Sequence, residues 1–188
     1  MDEPVVPVIA QIASAEDGSA VVAHDWVVSQ LRAAEEMYAP TGLHFRLTEW
    51  RALPSSAARI ANRAERDALA PMCAAQVINV LVVSSLQDVD TSEEMYRMGV
   101  TWIGRGVKYI IVATSARPST LAHEIGHFFG LHHTGVKNNL MSYDRDGAPV
   151  FLDAEQSKSV IGTARAMVAT RTLLLQSWAL SGAGALSP

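Results

Sequence analysis

From Val5 to Ile12 the chain is rich in β-branched residues, a pattern that predicts a first strand closing near Glu16-Asp17-Gly18. The period then changes. Val27, Leu31, Ala34 and Tyr38 recur at helical spacing, between Asp25 as a cap and a stop at Pro40-Thr41-Gly42. From Leu43 to Trp50, apolar Leu43, Phe45 and Leu47 alternate with His44, Arg46 and Thr48, which predicts a strand with one wet face. The alanine-rich stretch Pro54 to Leu69 predicts another helix, with a narrow stripe through Ala57, Ile60, Ala61, Ala64 and Ala68. Val77 to Val83 has the apolar character of a strand buried on both faces.

Two further strands, Val100–Gly104 and Lys108–Ala113, flank a compact turn at Arg105-Gly106. A helix is expected to start near Arg117-Pro118-Ser119-Thr120, where proline suits the first turn. Near the end, Asp153 is a plausible N-cap with Gln156 three residues on, and Val160, Ile161, Ala164, Met167, Val168 and Leu175 make an apolar stripe to about Ser177. The small, polar tail from Gly182 to Pro188 is expected to fray. Strands and helices alternate without internal repeats, as in an α/β layer.

The helix after Thr120 carries the chemistry. Residues 123–133 read His-Glu-Ile-Gly-His-Phe-Phe-Gly-Leu-His-His. On a helix, His123 and His127 share one face a turn apart and can grip one ion, while Glu124 can reach a metal-bound water without ligating. A continued helix would carry His133 away, so the chain must bend, and Gly130 can take the left-handed conformation that ends helices. Three imidazoles and one water make the open tetrahedral site of a catalytic zinc, whereas a structural zinc would be closed by a fourth protein ligand. Chance assembly of the five positions has a probability on the order of 10⁻⁵ against composition. The competing reading is therefore specific: a zinc-binding relic without activity.

His123-Glu124-x-x-His127-x-x-Gly130-x-x-His133, followed by Asn139-Leu140-Met141-Ser142-Tyr143, resembles the metzincin metallopeptidases, whose zinc motif precedes a methionine-bearing turn. Met141 corresponds to that methionine, an apolar floor beneath the zinc in the family. Seven residues separate His133 from Met141, a short linker like that of matrixins. Tyr143 instead resembles the tyrosine of the astacin, serralysin and pappalysin branches, which binds zinc or swings away to support the intermediate. The motif settles the clan and leaves the branch open.

The resemblance implies an α/β (α+β) fold: a mixed twisted sheet with an antiparallel edge strand, an active-site helix and a C-terminal helix. It implies one catalytic domain over residues 1–188, with an upper part to about 133 and a lower part from about 134. By the same resemblance the strand Gly99, Val100, Thr101, Trp102 would bind extended peptide by strand addition, and Val150 and Phe151 would wall the pocket beyond the scissile bond. The implied enzyme is a zinc metallopeptidase acting on peptide or protein. One zinc ion on His123, His127 and His133 would lower the pKa of its water. Glu124 would act as general base and then pass the proton to the leaving amine, and Tyr143 would stabilise the oxyanion. Two alternatives remain: a silent zinc protein that binds peptide, and a narrow amidase or exopeptidase.

Composition narrows the setting. The 188 residues, 49% hydrophobic and 18% charged, suffice for one core. A net charge of −4 without a basic stripe argues against nucleic acid. There is no apolar run of membrane-spanning length. Met1-Asp2-Glu3-Pro4 lacks the basic start and apolar run of a signal peptide, so a secreted or extracytoplasmic setting implies a leader outside this sequence or another export route. A monomer is expected. The single cysteine, Cys73, cannot form an internal disulfide and is expected to be a buried structural thiol.

Other candidates are weaker. His132 should point away from the ion, and His24 and His44 are expected on the surface. Asp88, Asp90, Glu93 and Glu94 offer oxygen ligands for Ca2+, yet without the spacing or glycine of a recognised loop a solvated loop is preferred; Asp144-Arg145-Asp146-Gly147 is similarly weak.

Overall fold

The computed structural model describes residues 4–91 and 95–177. In chain order its elements are β1 (Pro4–Ala13), α1 (His24–Tyr38), β2 (His44–Leu53), β3 (Arg59–Ile60), α2 (Arg63–Ala68), β4 (Ile78–Val83), β5 (Ser85–Leu86), β6 (Gly99–Gly104), β7 (Val107–Ala113), α3 (Thr120–Phe128), α4 (Ala154–Ala169) and β8 (Gln176–Ser177). The main sheet runs β2-β1-β4-β7-β6; its first four strands are parallel, and β6 is an antiparallel edge. β8 pairs antiparallel with the start of β1. This is the mixed sheet with an antiparallel edge strand that the sequence led us to expect.

Burial follows from that order. Parallel strands need cover on both faces, and every residue of β4 is buried. One face, with Val8, Val80 and Val112, packs against α1, α3 and α4 through Leu31, Ile125 and Val160. The other, with Leu81, Val83, Tyr109 and Ile111, packs against the irregular segment around Ala57, Ile60 and Leu69.

That segment departs from the helix expected over Pro54–Leu69. A 3-10 turn at Ser55–Ala57 follows Pro54, β3 pairs with β5, and α2 begins afresh where Asn62 accepts a 2.9 Å bond from the Glu65 backbone N–H. Proline, and an asparagine suited to capping rather than continuing a helix, override the weak alanine stripe. Within α2, Arg66 is fully buried: its guanidinium lies 4.8 Å over the Trp102 ring and Nη2 donates to Gln87 O at 2.6 Å.

Two helix ends also differ. Ala23, not Asp25, is the N-cap of α1, and Asp25 lies in the first turn, where its charge suits the helix dipole. Asp153 and Gln156 do form a capping box on α4, but the helix stops at Ala169. Arg171 turns left-handed with φ 58°, and Leu173 folds back into the core ahead of β8, so Leu175 is not helical. The residues from Gly182 to Pro188 lie outside the described ones. Cys73 is half-buried, its Sγ 3.7 Å from Leu69 O, and burial pushes the thiol up to about 12.

Candidate active site

The helix α3 carries two of the three histidines and ends where the third needs it to. Gly130 adopts φ 87°, the Gly130 N–H donates to His127 O at 3.0 Å, and the Leu131 N–H reaches back to Gly126 O at 2.9 Å. These paired bonds are a Schellman closure, which satisfies the last carbonyls and turns the chain sharply. His133 is thereby returned to the helix: its Nε2 lies 3.2 Å from His123 Nε2 and 3.0 Å from His127 Nε2. Tetrahedral ligation at about 2.1 Å separates ligand nitrogens by about 3.4 Å, so these two separations suit one zinc ion to within a few tenths of an ångström, and all three ligand atoms lie within 4.8 Å of one another. The Tyr143 hydroxyl joins the group, 2.9 Å from His133 Nε2.

The other ring nitrogens are fixed. His123 Nδ1 donates to Leu140 O and His127 Nδ1 to Leu131 O, each at 2.8 Å. A carbonyl only accepts, so both rings carry their proton on Nδ1 and aim an Nε2 lone pair at the shared point. Burial lowers the pKa of all three histidines, His123 to about 4, which favours the neutral, ligating form.

Glu124 sits one residue on, between α3 and β6. Burial raises its carboxyl to about 7, against the opposing effects of Thr101 and Arg97. Thr101 Oγ1 lies 2.7 Å from Glu124 O and 3.1 Å from Oε2, tying the edge strand to the helix. The space for this carboxylate depends on Gly99: a Cβ there would lie 2.9 Å from Glu124 Cγ and 3.2 Å from Oε1.

Beneath the histidines, Met141 is fully buried, and a Cβ on Gly126 would overlap its Sδ. The turn bearing Met141 is held from α4. Asn139 and Gln156 exchange side-chain bonds of 2.7 and 3.0 Å, and Asn139 Oδ1 accepts from the Met141 N–H at 2.9 Å. Arg145 donates to Asn139 O, and at 3.0 Å to Leu140 O, the carbonyl that orients His123. Glycine to alanine inside a helix is ordinarily stabilising by about 1 kcal/mol. Here the contact with Met141 reverses the sign, and Gly126→Ala is expected to cost about 1–3 kcal/mol, seen as a melting temperature lowered by several degrees. A melting temperature that rises instead would show that Met141 does not press on the helix.

These groups line a cleft of about 690 Å³ between β6 and α3. His123, Glu124, His127, His133 and Tyr143 line it together with Gly99, Val100 and Thr101. Trp102 does not. Side chains alternate along a strand, and Trp102 points to the opposite face, where its indole donates to Asp67 Oδ1 at 2.7 Å; Ile103, 64% exposed, takes the cleft side. Val150 and Phe151 also lie outside it. Val150 packs on the core, while Phe151 exchanges backbone bonds with Asn138 and Leu140 and so braces the Met141 turn. The sequence reading missed Arg97, Lys108, Arg117 and Arg145 at the cleft. Only the alternation in β6 signalled Ile103, and nothing local signalled the cations.

Asp88 and Asp90 are ion-paired with Arg97 at 2.8 and 3.0 Å, and Asp90 also pairs with Arg63, which accounts for their charge without calcium. Glu93 and Glu94 lie outside the described residues. Asp146 accepts from Asn138 at 2.6 Å and pairs with Lys137. His132 is exposed and not among the converging nitrogens, His24 packs on Trp50, and His44 lies 3.5 Å from Glu35.

No family model matches the sequence, and no curated protein matches it. The fold has solved counterparts. Metalloproteinase-II from Bacteroides fragilis superposes with a TM-score of 0.60 at 16% identity, over 86% of this chain and 53% of that one. Archaemetzincin from Methanopyrus kandleri superposes with a TM-score of 0.57, also at 16% identity, over 85% of this chain and 96% of that one. The chain thus spans about half the length of the first and nearly all of the second.

Proposed function

The chain has a metzincin-like fold, and we propose that it is a zinc-dependent endopeptidase cutting extended polypeptides. The observation that carries this reading is the convergence of three Nε2 atoms beside the buried Glu124 carboxylate, at an open sheet edge. His123, His127 and His133 would hold the ion. Bound there, zinc supplies Lewis acidity that brings the pKa of water close to neutrality and polarises a carbonyl.

The chain's own groups do the rest. β6 offers unpaired backbone donors and acceptors to an extended peptide, and holds its scissile carbonyl at the level of Thr101 and Glu124. Glu124 takes a proton from the attacking water at its carboxylate and delivers it to the nitrogen of the departing amine. Its raised pKa, caused by burial, suits a group that must both accept and return a proton near neutral pH. Tyr143 is 76% exposed, and its hydroxyl, 2.9 Å from His133 Nε2, donates to the oxyanion of the tetrahedral intermediate. Met141 and the Asn139–Gln156 pair keep the floor of the site rigid, the role of the methionine turn.

The test is digestion of a diverse peptide library by zinc-loaded protein, with cleavage sites read by mass spectrometry. Internal cuts are expected. End-trimmed products would mean an exopeptidase, and zinc-loaded protein that cuts nothing would mean a binding protein. Tyr143→Phe is expected to lower kcat about 10²-fold with KM little changed, since a donor to an oxyanion acts in the transition state. A change within about twofold would remove Tyr143 from that role.

A further inference from the structure

The cleft is charged against the grain of the molecule. The chain carries a net −4, yet the cleft is lined by four cations, Arg97, Lys108, Arg117 and Arg145, and by two carboxylates, Asp88 and Glu124. Three of the cations are engaged. Arg97 pairs with Asp88, Arg145 holds the carbonyls of residues 139 and 140, and Lys108 Nζ donates to Phe128 O at 3.2 Å. Arg117 is exposed, and its guanidinium has no partner among the described residues.

Its place along the cleft gives it a direction. β6 starts at Gly99, where a Cβ would lie 3.0 Å from Thr120 Cγ2, and ends at Ile103–Gly104, opposite Lys108 and Val107. Arg117 stands one turn ahead of Thr120, whose Oγ1 accepts from the Arg117 N–H at 3.0 Å. Antiparallel pairing is the more stable arrangement for an added strand, so a peptide on β6 runs from the Ile103 end toward Gly99. Its residues past Glu124, the leaving-group side of the cut, therefore approach Arg117.

We propose that Arg117 is a specificity residue that receives a carboxylate on the C-terminal side of the scissile bond. Building on the peptidase reading, this makes the preferred substrates acidic there. A guanidinium takes a carboxylate through two parallel N–H donors, a geometry that a lone ammonium lacks. The carboxylate belongs either to an Asp or Glu side chain or to the substrate's own C-terminus. Because Arg117 is exposed in the free protein, solvent limits the gain to about twofold to fivefold.

The experiment compares kcat/KM of zinc-loaded protein on three matched peptides. One carries Asp just beyond the cut and an amidated end, one Asn with an amidated end, and one Asn with a free terminal carboxylate close to the cut. Wild type is expected to prefer Asp over Asn by about twofold to fivefold; Arg117→Gln erases the preference, Arg117→Lys keeps part of it, and Arg117→Glu reverses it in favour of Asn. Preference for the free carboxylate alone supports the assignment with the chain terminus as its source, and makes the activity end-trimming. Equal rates on all three overturn the proposal while leaving the peptidase intact. Binding of the same peptides to zinc-loaded Glu124→Gln, followed by fluorescence anisotropy, separates the two readings. If nothing is cleaved but the acidic peptides bind more tightly in an Arg117-dependent way, the carboxylate contact stands as a binding contact and the peptidase fails. If binding is also indifferent to charge, the proposal is overturned.

Discussion

Glu124→Ala is expected to lower kcat by about 10³-fold or more while the protein still binds one zinc. The two halves of that expectation rest on separate geometry. The ligands are held by bonds that do not involve the Glu124 side chain, His123 to Leu140 O and His127 to Leu131 O, so the metal site survives the truncation. Proton transfer has no ready substitute: Asp88, the other carboxylate described at the cleft, is held by Arg97 at 2.8 Å, and Thr101, the hydrogen-bond neighbour of Glu124, is not a base near neutral pH. Glu124→Gln keeps the shape and the Thr101 contact but not the basicity, and is expected to be equally slow. Steady-state kinetics on a peptide found in the library digest, together with zinc content by atomic absorption, checks both halves. Turnover within about tenfold of wild type in either variant, with zinc bound, would rule out Glu124 as the base.

The sequence made the site legible because its geometry is local. His123, Glu124 and His127 need only one helix, and Gly130 supplies the stop that brings back His133, so spacing alone predicts convergence. The sheet was legible for a similar reason: β1, β4 and β7 are apolar enough to announce strands, and the turn at Arg105-Gly106 sets β6 apart from β7. What failed were readings in which neighbours outvote pattern. The stripe through Ala57, Ile60 and Ala64 suggested a helix, but Pro54 and Asn62 break it, and the second core takes Ile60 as a strand residue. Trp102 was expected to serve through its backbone on β6, a role separate from its side chain, whose ring turns away from the cleft to Asp67 and Arg66. Val150 and Phe151, placed at the pocket by analogy, do not line the cleft: Val150 packs on the core and Phe151 braces the Met141 turn. The four cleft cations come from four separate stretches of chain, and no local pattern reports groups that only the fold assembles.

Removing the metal should stop hydrolysis completely and lower stability without unfolding the protein. The bonds that shape the site do not run through the ion: two imidazoles are locked by carbonyls, the Schellman turn fixes the approach to His133, and the Met141 turn is braced by Asn139, Gln156 and Arg145. A site preorganised in this way is lost as a catalyst, not as a structure, when it is stripped. Zinc at about a thousandfold above its dissociation constant stabilises the folded state by about 4 kcal/mol, which for a domain of this size corresponds to a melting temperature about 8–16 °C higher than in chelator. In His123→Ala the carbonyl of Leu140 loses one of its two donors, keeping Arg145, and the ion loses one of three ligands. Its melting temperature is expected to be the same with zinc as with chelator, and close to that of the stripped wild type. Differential scanning fluorimetry of both proteins in EDTA and in zinc decides the matter. A wild-type melting temperature indifferent to zinc would mean that the three imidazoles do not bind it. A stripped protein without a cooperative transition would mean that the ion, not the hydrogen-bond scaffold, holds the lower part of the cleft together.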